Sequence, residues 1–379
     1  MKRILFISTT DINRKDGGGL GQKAYYSSLN NIYPGKVDII MPEEYVDDRY
    51  PNAKGVPGRN IVKSILSGSI HRYKAYVNHF LIQNKKTYEL CVISGGLYAG
   101  DMMDMIHNHG LKIIVIHINF EREYQLGNKS LWTLWGHCPF FVIQNERNAY
   151  LKADCNCFMS VEDQKSFMKY YGQVDVPSVI VGAYEYEKFP DDIFLPENSL
   201  LHKRIAITGS LNTVQTVVGI NDFRKNYYGI FRKICPDWTL LIAGRNPSTD
   251  IVDFKEEYTD NIELIPNPRE MKGIIQNAYI YMCPTNVGGG IKLRVMDGLK
   301  NGRPILVHEV SARGYEPLFG YSFFQVYNDK QSFEKGLGYL VDYIDKGFNP
   351  NNIYNVYQKY YSFDAGTQHF KEAIKYLNI

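Results

Sequence analysis

Apolar residues in this chain fall in short, nearly unbroken runs. RILFIS at 3–8, KVDIIMP at 36–42, LCVISG at 90–95, KIIVIHIN at 112–119, CNCFMS at 155–160 and SVIVG at 178–182 are rich in β-branched residues and too short for buried helices. They read as strands covered on both faces, the pattern of a parallel sheet. Longer amphipathic stretches such as SIHRYKAYVNHFLIQN (69–84) and VEDQKSFMKYYG (161–172) lie between them. This alternation predicts a doubly wound α/β domain of about 180 residues.

The rhythm stops in AYEYEKFPDDIFLPENSLLHK (183–203), which is rich in proline and charge and has no period. We place a linker at 191–203, after a first domain of 1–190. Strand-like runs then resume with RIAITGS, TLLIAGR, NIELI, YIYMCP and PILVH, giving a second α/β domain over 204–360. The chain closes with FDAGTQHFKEAIKYLNI, a helix over 361–379 with an aspartate near its start, placed to pack back on the first domain. The fold class is therefore α/β, with two Rossmann-like doubly wound domains. Such domains face one another across a cleft at their strand carboxyl ends, where ligands bind.

Composition narrows the chemistry only slightly. A net charge of +3 over 379 residues argues against a nucleic-acid partner. The six cysteines form no C-x-x-C pair, and several sit in strand-like runs, as expected of reduced, packed thiols in a cytoplasmic protein. The apolar start is too short for a signal peptide, and no run is long enough to span a bilayer.

DGGGLGQKA (16–24) contains Gly19, Gly21 and Ala24 at G-x-G-x-x-A spacing. A dinucleotide turn needs its first glycine directly after the strand, yet about ten residues separate Ser8 from Gly19. The spacing disfavours NAD. It leaves either a plain turn or a loop whose backbone, at Gly18 and Gly19, approaches a ligand phosphate or sugar.

The most informative segment is CPTNVGGGIKLRVMDGLKNGRPI (283–305). A strand runs into Gly288, Gly289 and Gly290, which are expected to open a helix and present bare amides to an anion. On helical spacing Ile291, Val295 and Leu299 form a buried stripe, while Gly290, Arg294 and Asp297 share another face. A cation and a carboxylate above an anion-binding loop suit a nucleoside diphosphate, the cation on the phosphates and the carboxylate on ribose hydroxyls. Lys292 lies within reach of a phosphate. The plainer alternative is an exposed Arg294–Asp297 ion pair.

These residues resemble the GT-B glycosyltransferases, in particular the large retaining family 4. TGSLNTVQTVVGINDF resembles the opening strand and loop of that family's nucleotide-sugar domain, LLIAGRNP its next strand, and PTNVGGGIKLRVMDGLKNGRPILV its G-G-G-I-K-x-K-V-L-E-A-L variant. IHINFEREY and KADCNCFMSVEDQ resemble two weaker first-domain segments. The resemblance implies transfer of a sugar from a nucleotide-sugar donor to a glycan or lipid-linked acceptor, with retention and without a bound metal or other cofactor. It implies that Asp297 stands for the second glutamate of a Glu-x7-Glu element and contacts ribose, while Gly289 replaces the first. Asn267 and Pro268 match the base-stacking turn. Ser210, Arg245 and Thr285 lie in the matched strand ends and join the substrate-binding set. The family's cations after the first strand are missing, so Arg294 and Lys292 are their natural replacements.

KIIVIHIN places His117 and Asn119 on one face near a strand's carboxyl end. The resemblance puts such a histidine beside the donor sugar, and a satisfied core histidine is the alternative. The basic, aromatic stretch up to Lys86 suggests peripheral contact with the cytoplasmic membrane face. Two other functions stay open: a nucleotide-sugar epimerase on the same scaffold, and a non-catalytic member that binds sugar-nucleotide or a partner protein.

Overall fold

The computed structural model describes residues 2–13, 17–50, 52–58, 73–123, 139–188 and 202–378. The chain divides into two compact units, one of Met1–Lys188 with Ser362–Ile379 and one of Phe189–Tyr361.

The first unit contains β1 (Arg3–Ser8), α1 (Gly17–Ile32), β2 (Val37–Pro42), β3 (Ala53–Val56), α2 (Tyr73–Gln83), β4 (Tyr88–Ser94), α3 (Met103–Asn108), β5 (Lys112–His117), α4 (Pro139–Lys152), β6 (Cys155–Phe158), α5 (Val161–Tyr171) and β7 (Ser178–Ile180). Its seven strands are parallel in the order β3-β2-β1-β4-β5-β6-β7. Continuous apolar runs fit this arrangement because helices cover both faces. The short β3, AKGV, lacked a legible apolar run. Ser160 caps α5 by accepting the Asp163 N–H, and Gly172 ends it with φ +89°.

Helix α2 lies in the stretch read as a membrane-facing helix, whose residues 69–72 are outside the described set. Tyr73, Val77, Phe80 and Leu81 are buried in the core of the first unit, so this face packs on its own sheet. No helix among the described residues is long and apolar enough to cross a membrane. The five described cysteines are free and buried, and Cys138 lies outside the described residues.

The second unit contains β8 (His202–Ser210), α6 (Val214–Asn226), α7 (Tyr228–Ile234), β9 (Thr239–Arg245), α8 (Thr249–Glu257), β10 (Ile262–Pro266), α9 (Lys272–Gln276), β11 (Ala278–Cys283), α10 (Arg294–Lys300), β12 (Ile305–His308), β13 (Phe324–Tyr327), α11 (Lys330–Asp345) and α12 (Pro350–Tyr361). Its six parallel strands run β10-β9-β8-β11-β12-β13. Strand β8 takes in the last two residues of the expected linker, and residues 189–201 lie outside the described set.

The closing helix, α13 (Phe363–Lys375), belongs to the first unit. Ser28 of α1 sits between Tyr184 Oη at 3.0 Å and Thr367 Oγ1 at 2.9 Å. A side chain at Gly366 would collide with the Tyr184 ring, so this glycine sets how closely the helix docks. Its cap is Ser362, which accepts the Ala365 N–H, and Asp364 takes a place in the first turn instead.

Candidate functional site

In each sheet the winding reverses beside the first strand, between β1 and β4 and between β8 and β11. The carboxyl ends at such a switch point diverge and open a crevice. In the second unit that crevice contains most of the residues singled out from the sequence.

Arg294, the first residue of α10, lies against the end of β8. A methyl group built on Gly209 would fall 2.4 Å from Arg294 Cζ, so the guanidinium rests on a bare backbone. Its Nη2 donates to Thr216 Oγ1 at 2.6 Å, and Thr216 shares a hydrogen bond with Thr213 Oγ1 at 2.8 Å. Arg294 forms no ion pair among the described residues. Asp297 pairs with Lys300 at 3.4 Å, so the alternative Arg294–Asp297 pair does not form. Loss of water raises the Asp297 pKa against the pull of Lys300 and Arg294. The Asp297 side chain is still 42% exposed.

The triple glycine does not open the helix, which starts four residues later at Arg294. Two facts explain the delay. Gly288 and Gly290 have φ of +86° and +72°, outside helical geometry. Lys292 also turns back on the loop, its Nζ donating to Gly289 O at 2.8 Å with Gly288 O at 3.5 Å and Gly290 O at 3.4 Å. In a trans peptide the N–H points opposite to its C=O. Carbonyls drawn towards Lys292 therefore turn the N–H groups of Gly289, Gly290 and Ile291 the other way, and among the described residues these have no acceptor. Successive free amides of this kind make an anion-binding nest without a helix.

The loop is held from both sides. A Cβ on Gly288 would lie 2.3 Å from Gln215 Nε2, so α6 abuts it directly. On the other side Ser311 Oγ donates to Thr285 O at 2.6 Å, Tyr315 Oη donates to Lys292 O at 2.9 Å, and Ile291 packs on Gly314. Thr285 is itself largely buried, with Gly219 of α6 against its backbone, and so anchors the loop. Desolvation, then Arg313, then Arg294 push the Lys292 pKa down to about 8. Sequence reading missed Arg313, since it sits outside every motif.

The remaining second-unit residues gather along the rim. Arg245, exposed at the end of β9, reaches Ser210 Oγ at 3.3 Å. Asn267 donates its N–H to Gly244 O at 2.7 Å and accepts the Asn246 N–H on Oδ1 at 2.9 Å. Both asparagines have φ of 50°, a tight double turn that leaves Asn267 exposed and Pro268 half-buried.

The first unit departs further from expectation. His117 is 1% exposed. Its Nε2 bonds Asn156 Oδ1 at 2.8 Å, its ring stacks on Phe158 and tilts onto Phe167, and Gly96 covers Nδ1. Burial pushes its pKa down to about 4. His117 is thus a packed core imidazole and touches nothing outside the fold. Asn119 is half-buried and donates to Glu121 Oε1 at 3.2 Å. The carboxylate of buried Glu146 accepts the N–H groups of Glu121 and Arg122 and the Tyr171 hydroxyl, and burial raises its pKa to about 7. Gly18 and Gly19 are not in a loop: α1 begins at Gly17, and Gly19 is buried in its first turn. Gln22 locks that turn to the end of β1 through Ser8 Oγ at 2.5 Å and Thr10 Oγ1 at 2.8 Å.

No protein-family profile matches the sequence, and no curated protein is detectably similar to it. Solved structures are similar over the whole chain. Anabaena Alr3699/HepE, solved in complex with UDP, aligns at TM-score 0.66 and 9% identity over 98% of this chain and 99% of its own. The lipopolysaccharide outer core galactosyltransferase WaaB aligns at 0.68 and 11%, over 98% and 99%. A glycosyltransferase from Rickettsia africae ESF-5 aligns at 0.68 and 9%, over 99% and 98%. The fold is GT-B. At such identities the likeness carries the architecture of two α/β units and leaves the chemistry to the residues above.

Proposed function

We propose that this chain is a glycosyltransferase whose second unit holds a nucleotide-sugar donor by its diphosphate. The observation that carries the reading is the pairing of Arg294, seated on Gly209 without an acid partner, with the outward-facing amides of 289–291. Together they offer directional donors and unneutralised charge to one anion at the switch point. HepE, which shares the fold, is solved with UDP and with UDP-glucose, which supports a uridine diphosphate hexose as donor.

Asp297 takes the ribose hydroxyls, and the exposed turn at Asn267–Pro268 takes the base. The acceptor is a glycan or lipid-linked sugar bound mainly by the first unit. As the bond from sugar C1 to the β-phosphate oxygen breaks, its electron pair stays on that oxygen. The acceptor hydroxyl oxygen bonds C1 on the same face, giving retention, and its proton passes to the departing phosphate. Arg294 and the loop amides hold the developing charge, and Lys292, behind the loop on its carbonyls, adds its field. No base is required of His117, in keeping with its burial.

Titration calorimetry with UDP, GDP and ADP tests donor binding, and release of nucleoside diphosphate from the matching nucleotide-sugars tests transfer. We expect UDP to bind in the micromolar range and UDP release to rise with an acceptor glycan. Interconversion of the sugar-nucleotide without release would favour an epimerase, and binding without any turnover a non-catalytic protein.

A further inference from the structure

The segment after β12 has no part in the sequence motifs, yet it grips the glycine loop at three points: Ser311 on Thr285, Gly314 on Ile291 and Tyr315 on Lys292. Between the first two contacts stands Arg313, exposed and without a hydrogen-bond or ion-pair partner among the described residues. The acid three residues on, Glu316, accepts the Gly314 N–H at 2.8 Å and so stiffens the turn that presents the arginine. Arg313 is also close enough to Lys292 to lower its pKa, as Arg294 does from the other side. Three cations thus converge on one loop with no acid paired to any of them. Their mutual repulsion is relieved only when an anion arrives.

The charge of that anion changes during the proposed reaction. A diphosphate bridging ribose and sugar carries two negative charges, which Arg294 directly and Lys292 through its field from behind the loop offset. Once the C1–O bond has broken and the acceptor proton has reached solvent, the free nucleoside diphosphate carries three above pH 7. We propose that Arg313 is the third cation of this site, engaging the terminal phosphate as it becomes a leaving group and so discriminating product and transition state from intact donor. The inference rests on the reading of the second unit as a donor site. It adds that Arg313 acts on the charge that appears during transfer, and so raises kcat more than donor affinity.

The test compares affinities of UDP and UDP-glucose for wild type, Arg313→Ala and Arg313→Lys by calorimetry at pH 8, with steady-state kinetics beside them. Wild type that binds neither ligand overturns the donor-site reading itself. If wild type binds both, the expected result for Arg313→Ala is a loss of UDP affinity of about tenfold or more, a loss for UDP-glucose of no more than about twofold, and a fall in kcat at nearly constant KM, with partial recovery in Arg313→Lys. Equal weakening of both ligands would show that Arg313 binds the ground-state diphosphate uniformly and would overturn the proposal. So would unchanged affinities and rate. The side chain is exposed, so melting temperatures within a degree or so of wild type should accompany all three proteins.

Discussion

The guanidinium of Arg294 lies on the bare Cα of Gly209, at a distance that leaves no room for a methyl group. Gly209 has φ +145°, a conformation that favours glycine in its own right. One residue at the end of β8 thus fixes where the principal cation of the crevice sits, although the two are far apart in sequence. Gly209→Ala should displace Arg294 and reduce UDP affinity at least tenfold, roughly 1.4 kcal/mol or more. Thr216→Val, which removes the hydrogen bond to Arg294 at 2.6 Å together with the one to Thr213 but leaves the guanidinium on Gly209, should cost less, about 0.5–1.5 kcal/mol. Calorimetry on both variants checks the order. A Gly209→Ala protein that binds UDP normally would detach Arg294 from the diphosphate.

Lys292 should give the proposed donor site a pH dependence. Its folded-state pKa, about 8, lies below the usual lysine value, so the free protein gives up this proton as pH rises through 8. A bound diphosphate stabilises the ammonium and raises its pKa again. UDP affinity should therefore fall by roughly tenfold between pH 7.5 and 9.5, and binding near pH 8 should take up protons. Calorimetry in buffers of different ionisation enthalpy reads that uptake directly. Flat affinity over this range would show that the ammonium serves only the loop carbonyls. The same depressed pKa makes folding stability rise as pH climbs from 8 towards 10.5, because the unfolded chain then binds the extra proton.

Asp297 is expected to accept hydrogen bonds from ribose. Asp297→Asn keeps the shape and removes the charge, and should weaken UDP by about 1–2 kcal/mol. Binding of UDP compared with inorganic pyrophosphate separates the contributions, since only UDP has a ribose. An equal loss for both ligands would place the effect on the diphosphate instead.

Protonating His117 in place means charging an imidazole enclosed by Phe158, Phe167 and Gly96. Its folded pKa, about 4, is below the unfolded value, so wild type loses stability as pH falls from 6.5 towards 4. His117→Gln can keep the bond to Asn156 but does not titrate. It should be less stable than wild type by about 2 kcal/mol at pH 7, with the gap shrinking as pH approaches 4.5. Urea denaturation at several pH values follows the gap. A constant difference would mean that the ring stays solvated, and a variant with lost transfer at unchanged stability would return His117 to the active site.

Period and composition were enough to read two parallel α/β units, because buried strands need unbroken apolar runs wherever they stand in the chain. They also located the glycine loop and its cations, since 283–305 compresses strand, loop and helix into one local segment. Three things depended on contacts that the apolar pattern does not show. The helix start at Arg294 rather than Gly288 follows from Lys292 folding back on the loop carbonyls. The burial of His117 follows from Gly96 and Phe167 closing over a strand end whose alternation alone looks like an open site. Arg313 comes beside the glycine loop only because Ser311 and Tyr315 tie its segment to Thr285 and Lys292. Local pattern fixes which way a side chain leaves its element, but what meets it there is set by packing, and that decided which polar residues stay near the glycine loop and which are core.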